Sequence, residues 1–176
     1  MRAKNYRSIE RPYTKKDYIA GAPQPKLMKF TYGQMSPSFD LIVRLVAGSD
    51  LQVRDVSLES ARVTAGKSLS SRIGEKEFYL IVKAHPHHVL RENKMIFGAH
   101  ADRLQEGMSR AFGTPIGRAA QITRGSTVIE VRSHSKNLQV VKEALATAAK
   151  KLPGTYRLEV DYNERTVTET PVSNAE

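Results

Sequence analysis

Residues 39–74 read FDLIVRLVAGSDLQVRDVSLESARVTAGKSLSSRIG. Phe39, Leu41, Val43 and Leu45 alternate with Asp40, Ile42, Arg44 and Val46, the period of two that sends successive side chains to opposite faces of a strand. Leu51–Val56 reads as a second, shorter strand. Beyond it the period changes. Leu58, Ala61, Ala65, Leu69 and Ile73 share one face of a helix that Ser57 can cap and Gly74 can end.

Outward from this stretch the same two periods recur. Phe78–Ala84, Arg118–Thr123 and Thr127–Ser133 read as strands, the last two joined through Arg124-Gly125-Ser126 as a hairpin. Leu138, Val141, Leu145, Ala148 and Leu152 form the stripe of a second helix, capped by Ser133 or Ser135 and stopped by Pro153-Gly154. Lys150 and Lys151 suit the dipole at its end. A last strand, Thr155–Asp161, precedes a polar tail over 162–176. Strands and two main helices without a βαβ rhythm predict an α+β fold, a single compact domain of mixed antiparallel strands. Its parts are a basic arm over 1–36 and a core over 37–161. A chain of 176 residues suffices for one domain with a real core.

Charge narrows the function. Lys and Arg number 28 against 18 acids, a formal charge of +10, and such a surplus attracts polyanions. Residues 1–30 carry eight cations against two acids and residues 81–132 eight against four. The remaining stretches, 31–80 and 133–176, balance at six of each. Two basic surfaces on a neutral body are therefore expected. No apolar run approaches the roughly 18–20 residues of a spanning helix, and the basic start lacks the apolar run of a secretory signal. There is no cysteine, which removes disulfides, thiol catalysis and the common zinc frameworks and fits a reducing cytoplasm.

In the first basic block Tyr6, Tyr13, Tyr18 and Tyr32 alternate with Arg7, Arg11, Lys15, Lys16, Lys26 and Lys29, while Pro12, Pro23 and Pro25 prevent a long helix. A short helical turn over Thr14–Ala20 fits between them, with Gly21 as its stop. Aromatic rings among cations can stack on bases while the cations meet phosphate; the same tyrosines could instead pin the arm to the core. In the second block, Gly98, Gly107, Gly113 and Gly117 surround Arg103, Arg110 and Arg118. A loop of about twenty residues is unusual in a compact domain unless it has a function. A flexible basic loop over 98–117 that orders on RNA is expected.

Three patterns invite other chemistry. Ala65-Gly66-Lys67-Ser68 ends like a phosphate-binding loop, but Ala61 stands where the first glycine belongs and the segment reads as mid-helix. His85-Pro86-His87-His88 could suggest a metal, but Glu92 is the near carboxylate and no cysteine completes a ligand set. Beside Arg91 and Lys94 the histidines suit RNA contact or a plain structural role better. Asp102 and Glu106, one helical turn apart, lie among Arg103 and Arg110 and read as ion-pair partners rather than a catalytic pair. Neither an enzyme nor a cofactor is expected. The candidate RNA contacts are Arg7, Arg11, Tyr13, Lys15, Lys16, Lys26, His85, His87, His88, Arg91, Asn93, Lys94, Arg118 and Arg124.

The segment from His85 to Met95, HPHHVLRENKM, followed by ADRLQEGM over 101–108 and Ala111-Phe112-Gly113, resembles the L-ten-e proteins of the large ribosomal subunit. These are the archaeal and eukaryotic branch of the universal L-sixteen family. Arg11-Pro12-Tyr13-Thr14 and Gly21–Lys26 agree, and the likeness runs from about Tyr6 to Val160. The resemblance implies a hammerhead-like α+β fold bound to large-subunit rRNA near the aminoacyl-tRNA site and peptidyl transferase centre. Neighbouring large-subunit proteins and tRNA at the aminoacyl and peptidyl sites would be its partners. It implies that Arg91, Asn93 and Lys94 brace the loop's base, and that Arg103, Gln105, Met108, Arg110 and Phe112 form the loop facing tRNA. His100 departs from the family's usual glycine, Thr114 from a common lysine, and Arg2–Asn5 from the usual arm. The absence of a long extension after Glu176 leads to the expectation of an archaeal-type protein. A free-standing RNA-binding translation regulator is the alternative reading.

Overall fold

The computed structural model describes residues 11–162 apart from 15, 37, 95, 105 and 108–112, and leaves out the side chains of Lys16, Asp102 and Leu104. The described residues form eight strands and three α-helices in the order β1 (Thr31–Gly33), β2 (Leu41–Ala47), β3 (Leu51–Arg54), α1 (Asp55–Ile73), β4 (Phe78–Val82), β5 (His88–Glu92), α2 (Ala101–Leu104), β6 (Thr114–Ile122), β7 (Thr127–Ser133), α3 (Leu138–Ala149) and β8 (Tyr156–Tyr162). They build two antiparallel sheets, a large one in the order β1-β4-β7-β2-β8 and a small one in the order β3-β6-β5. This is the α+β domain that the periodicities predict.

The alternation in β2 sets the layers of the large sheet. Val43 pairs with Val131, which pairs with Leu80; Leu45 pairs with Ile129, which pairs with Val82. These side chains are buried in one cluster with Leu58, Ala61, Ala65 and Leu69 of α1 and Val141, Ala144, Leu145 and Ala148 of α3. The opposite face of the same strands carries Arg44 paired with Glu130 and Ile42 with Arg132, the inside–outside division expected of a half-covered antiparallel sheet.

Several boundaries differ from the sequence reading, each for a local reason. α1 begins at Asp55, so β3 runs directly into it, and Ser57 is not the cap. Buried Asp55 accepts the N–H of Val56 at 2.8 Å and that of Lys26 at 2.8 Å through its two carboxylate oxygens. α3 has no side-chain cap; Ser133 donates to the Glu77 carbonyl and Ser135 to Asp40. The turn at Arg124-Gly125 is not a hairpin. β6 belongs to the small sheet and β7 to the large one, so the turn is a corner between sheets, held where Gly125 N–H donates to Ala47 O at 2.9 Å and Arg124 N–H to Asp50 at 2.6 Å.

The arm and the loop also change shape. Leu27 is fully buried and Thr31–Gly33 pairs with β4, so residues 27–33 belong to the folded body rather than to a free arm. The helical turn in the arm shrinks to a 3-10 turn over Lys16–Tyr18. β6 begins at Thr114, and β5 adds a strand absent from the sequence reading. His88–Glu92 does not alternate because its first three residues are all buried. Pro115 is tolerated within β6 because the register shifts beside it, between Leu90 and Arg91. The basic loop is thereby shifted to 93–113, between two paired strands.

Gly66, the glycine of the phosphate-loop-like run, is buried in α1 against the Tyr32 ring; a Cβ there would stand 2.9 Å from Tyr32 Cδ1. Its role is close packing of β1 on the helix, and Tyr32 is anchored by its hydroxyl donating to Glu75 at 2.6 Å. Gly66→Ala gains about 1 kcal/mol of helix propensity but forces an overpacking cost of about 1–3 kcal/mol. A net fall of a few degrees in melting temperature is expected; a variant melting above the parent would show that the contact is not tight.

Candidate nucleic-acid interface

The small sheet is where the two basic blocks meet. Tyr13 enters alongside β5: its N–H donates to His88 Nδ1 at 2.7 Å, and its carbonyl accepts Val89 N–H at 3.0 Å. Arg91, further along β5, places its guanidinium 4.2 Å from the centre of the Tyr13 ring. That is within the range of a cation–π contact. Arg118 on β6 lies opposite Val89 and donates from Nε to the Pro23 carbonyl at 2.8 Å. With Lys26 tied to Asp55, the arm is fastened at Tyr13, Pro23 and Lys26. Among the described residues, 11–26 of the arm and Arg91 and Arg118 of the second block thus lie on one surface, where composition pointed to two. Lys83 and Arg132 of the second block go elsewhere, to Glu130 on the outer face of the large sheet.

Within this surface the three clustered histidines separate. His88 is buried; because its Nδ1 accepts a hydrogen bond, a proton on this ring resides on Nε2. His85 stacks on Phe30 with ring centres 4.3 Å apart. His87 holds Nδ1 2.9 Å from the His85 carbonyl; since a carbonyl can only accept, Nδ1 carries the proton. Such divergent orientations are those of structural and contact residues, not of a convergent ligand set. Arg11, Lys26 and Lys94 are exposed.

The loop leaves this surface from the end of β5. Asn93 donates to the Gly107 carbonyl at 2.8 Å, closing its base. His100 adopts φ +62°, a left-handed conformation that costs a non-glycine residue about 1–2 kcal/mol, which gives a physical reason for glycine at this position. Its carbonyl accepts Arg103 N–H at 3.0 Å to start α2. Arg103, Ile96 and Phe97 are exposed; the last two form an apolar pair that the search for charge passed over. Arg124 stands apart, at the end of β6 remote from the loop. Arg7, Lys15, Gln105, Met108, Arg110 and Phe112 lie outside the described residues, as does the side chain of Lys16.

Residues 9–159 match the family described as ribosomal protein L16p/L10e. The chain belongs to this family. It is 49% identical to the large ribosomal subunit protein uL16 of Staphylothermus marinus over 142 residues, covering 81% of this chain and 82% of the relative. Against the uL16 proteins of Archaeoglobus fulgidus and Saccharolobus solfataricus it is 42% and 47% identical, covering 90% and 88% of this chain and 91% and 89% of the relatives. An L16p/L10e protein is a structural part of the ribosome and not an enzyme, as the sequence reading expected. The relatives named here are archaeal, also as expected. No helix among the described residues is long and apolar enough to cross a membrane.

Proposed function

We propose that the chain is built into the large ribosomal subunit of the cytoplasm, where its arm-and-β5 surface binds large-subunit rRNA and its 93–113 loop points toward tRNA at the aminoacyl and peptidyl sites. The observation that carries this reading is the docking of Tyr13 on His88 and Arg91. It gathers cations from both ends of the charge distribution onto one sheet edge beside the base of the loop. A preformed cationic surface neutralises phosphates and releases counterions, while the fixed backbone supplies shape recognition of RNA. The protein positions RNA and tRNA and supports subunit assembly; it performs no chemistry of its own.

Lys94→Ala and Arg91→Ala test this. Both should fold. Lys94→Ala should weaken binding to large-subunit rRNA fragments several-fold at physiological salt and lower the slope of log K against log salt by about one unit. Arg91→Ala should do more, because it also removes the cation over Tyr13. Subunits from cells carrying either variant should be under-assembled or slow in accepting aminoacyl-tRNA. Normal rRNA affinity together with normal subunit profiles would refute the assignment, and loss of the unmodified protein from large subunits in a high-salt wash would favour a free-standing regulator.

A further inference from the structure

A cleft of about 320 Å3 opens between the arm and β5, beside the Tyr13 contact. Its volume is at the lower end of cavities that hold small ligands, about 300–1,000 Å3. Ile19, Leu27 and Val89 supply an apolar floor, and Pro25 and Pro86 flat walls. The Phe30–His85 ring pair forms one side, and Thr14, His87 and Arg118 bring polar groups. No carboxylate occurs among the described residues that line it.

We propose that this cleft receives one unpaired nucleobase of the bound RNA. The inference rests on the RNA-binding reading above and adds a base-selective subsite to it. A phosphate would lose its hydration against the apolar floor without enough donors to replace it. A base has two apolar faces and a polar edge, which is the division this cleft presents. The stacked Phe30 and His85 rings extend as a platform on which a further flat ring adds. At the edge, His87 presents Nε2, its Nδ1 being turned to the His85 carbonyl. Arg118 is oriented by its Nε bond to Pro23, which directs the rest of the guanidinium as a fork able to meet a base's acceptors. A duplex is too wide to enter; a base turned out of a loop or bulge is not.

The test uses the full-length protein and transcribed large-subunit rRNA fragments, probed at Watson–Crick base edges with base-modifying reagents. Ala22, half-buried on the cleft wall, is replaced by phenylalanine to fill the space, and His85→Ala removes the outer platform ring without touching the core. The parent protein should protect a nucleotide that Ala22→Phe leaves reactive. Ala22→Phe should also weaken binding about 5- to 150-fold, the range of one base–aromatic stack, with the salt slope unchanged because no phosphate contact is lost. His85→Ala should weaken protection of that same nucleotide. If the parent binds and protects rRNA while both variants bind and protect identically, the subsite is refuted and the RNA-binding reading stands. A loss of affinity accompanied by a shallower salt slope also refutes it, since that would mark a phosphate site. Unchanged rRNA binding with poor incorporation into subunits would assign the cleft to a neighbouring protein. If the parent fails to bind rRNA at all, it is the RNA-binding reading itself that falls.

Discussion

His88→Ala is expected to detach the arm and lower the melting temperature by about 10 °C. His88 is 2% exposed, and its Nδ1 is the acceptor for Tyr13 N–H. Removing the ring strands that donor, at about 1–3 kcal/mol, and leaves a hole where a buried ring packed. Together these amount to about 3 kcal/mol, and in a chain of this size each kcal/mol is about 2–4 °C. Limited proteolysis should cut faster within the arm, and rRNA affinity should fall although no exposed cation has been removed. His88→Asn keeps an acceptor near the position of Nδ1 and should recover arm protection better than stability. An alanine variant that melts and digests like the parent would show that the arm docks by other means.

Glu130 is expected to give the second large effect, and one that depends on pH. It is 4% exposed at the centre of the large sheet's outer face. Arg132 Nε donates to it at 2.8 Å, and Arg44 and Lys83 approach to 3.6 Å. Burial pushes its carboxyl up, but the Arg132 hydrogen bond and the charges of Lys83, Arg132 and Arg44 outweigh it and hold the group below its ordinary 4.5. Asp40 follows the same pattern, burial opposed by hydrogen bonds from Ser135 and by His134. A carboxylate whose folded-state pKa lies below its unfolded one adds stability above the unfolded value. That stability is lost as pH falls through the folded value. Glu130→Ala should therefore cost about 3 kcal/mol at pH 7, where three cations lose their shared partner; buried pairs lose about 3–5, and the partial exposure of these cations places this one at the low end. As pH falls below the ordinary carboxylate value the gap to the parent should narrow. Parallel stability curves between pH 3 and 7 would exclude the carboxylate's charge as the cause.

The outer face of the large sheet also shows why some charge contacts escaped the sequence. Glu130 reads locally as one charge in an alternating strand, and only the pairing of β2 and β4 on either side of β7 surrounds it with Arg44 and Lys83. His134 likewise reads as isolated, yet it stands 3.7 Å from Asp40 and edge-on to Phe39. The β6–β7 turn misled for a related reason: a short glycine turn between two strands has the same local signature in a hairpin and in a corner between sheets.

Periodicity and charge carried the sequence reading as far as local forces reach. The strand that the structure places at Leu41–Ala47, both helical stripes, the α+β class and the family likeness were all legible. Each follows from neighbours within a few residues, from totals that need no geometry, or from matching residues read along the chain. Tertiary structure alone decided which sheet each strand joined, that β5 is a strand, and that the arm meets the β5–β6 part of the second block on one surface. Those facts depend on contacts such as Tyr13 with His88, 75 residues apart, and Arg118 with Pro23, 95 apart. Bonds of that span leave no repeat in the chain, because they are selected by the packing of the whole core rather than by the preferences of adjacent residues.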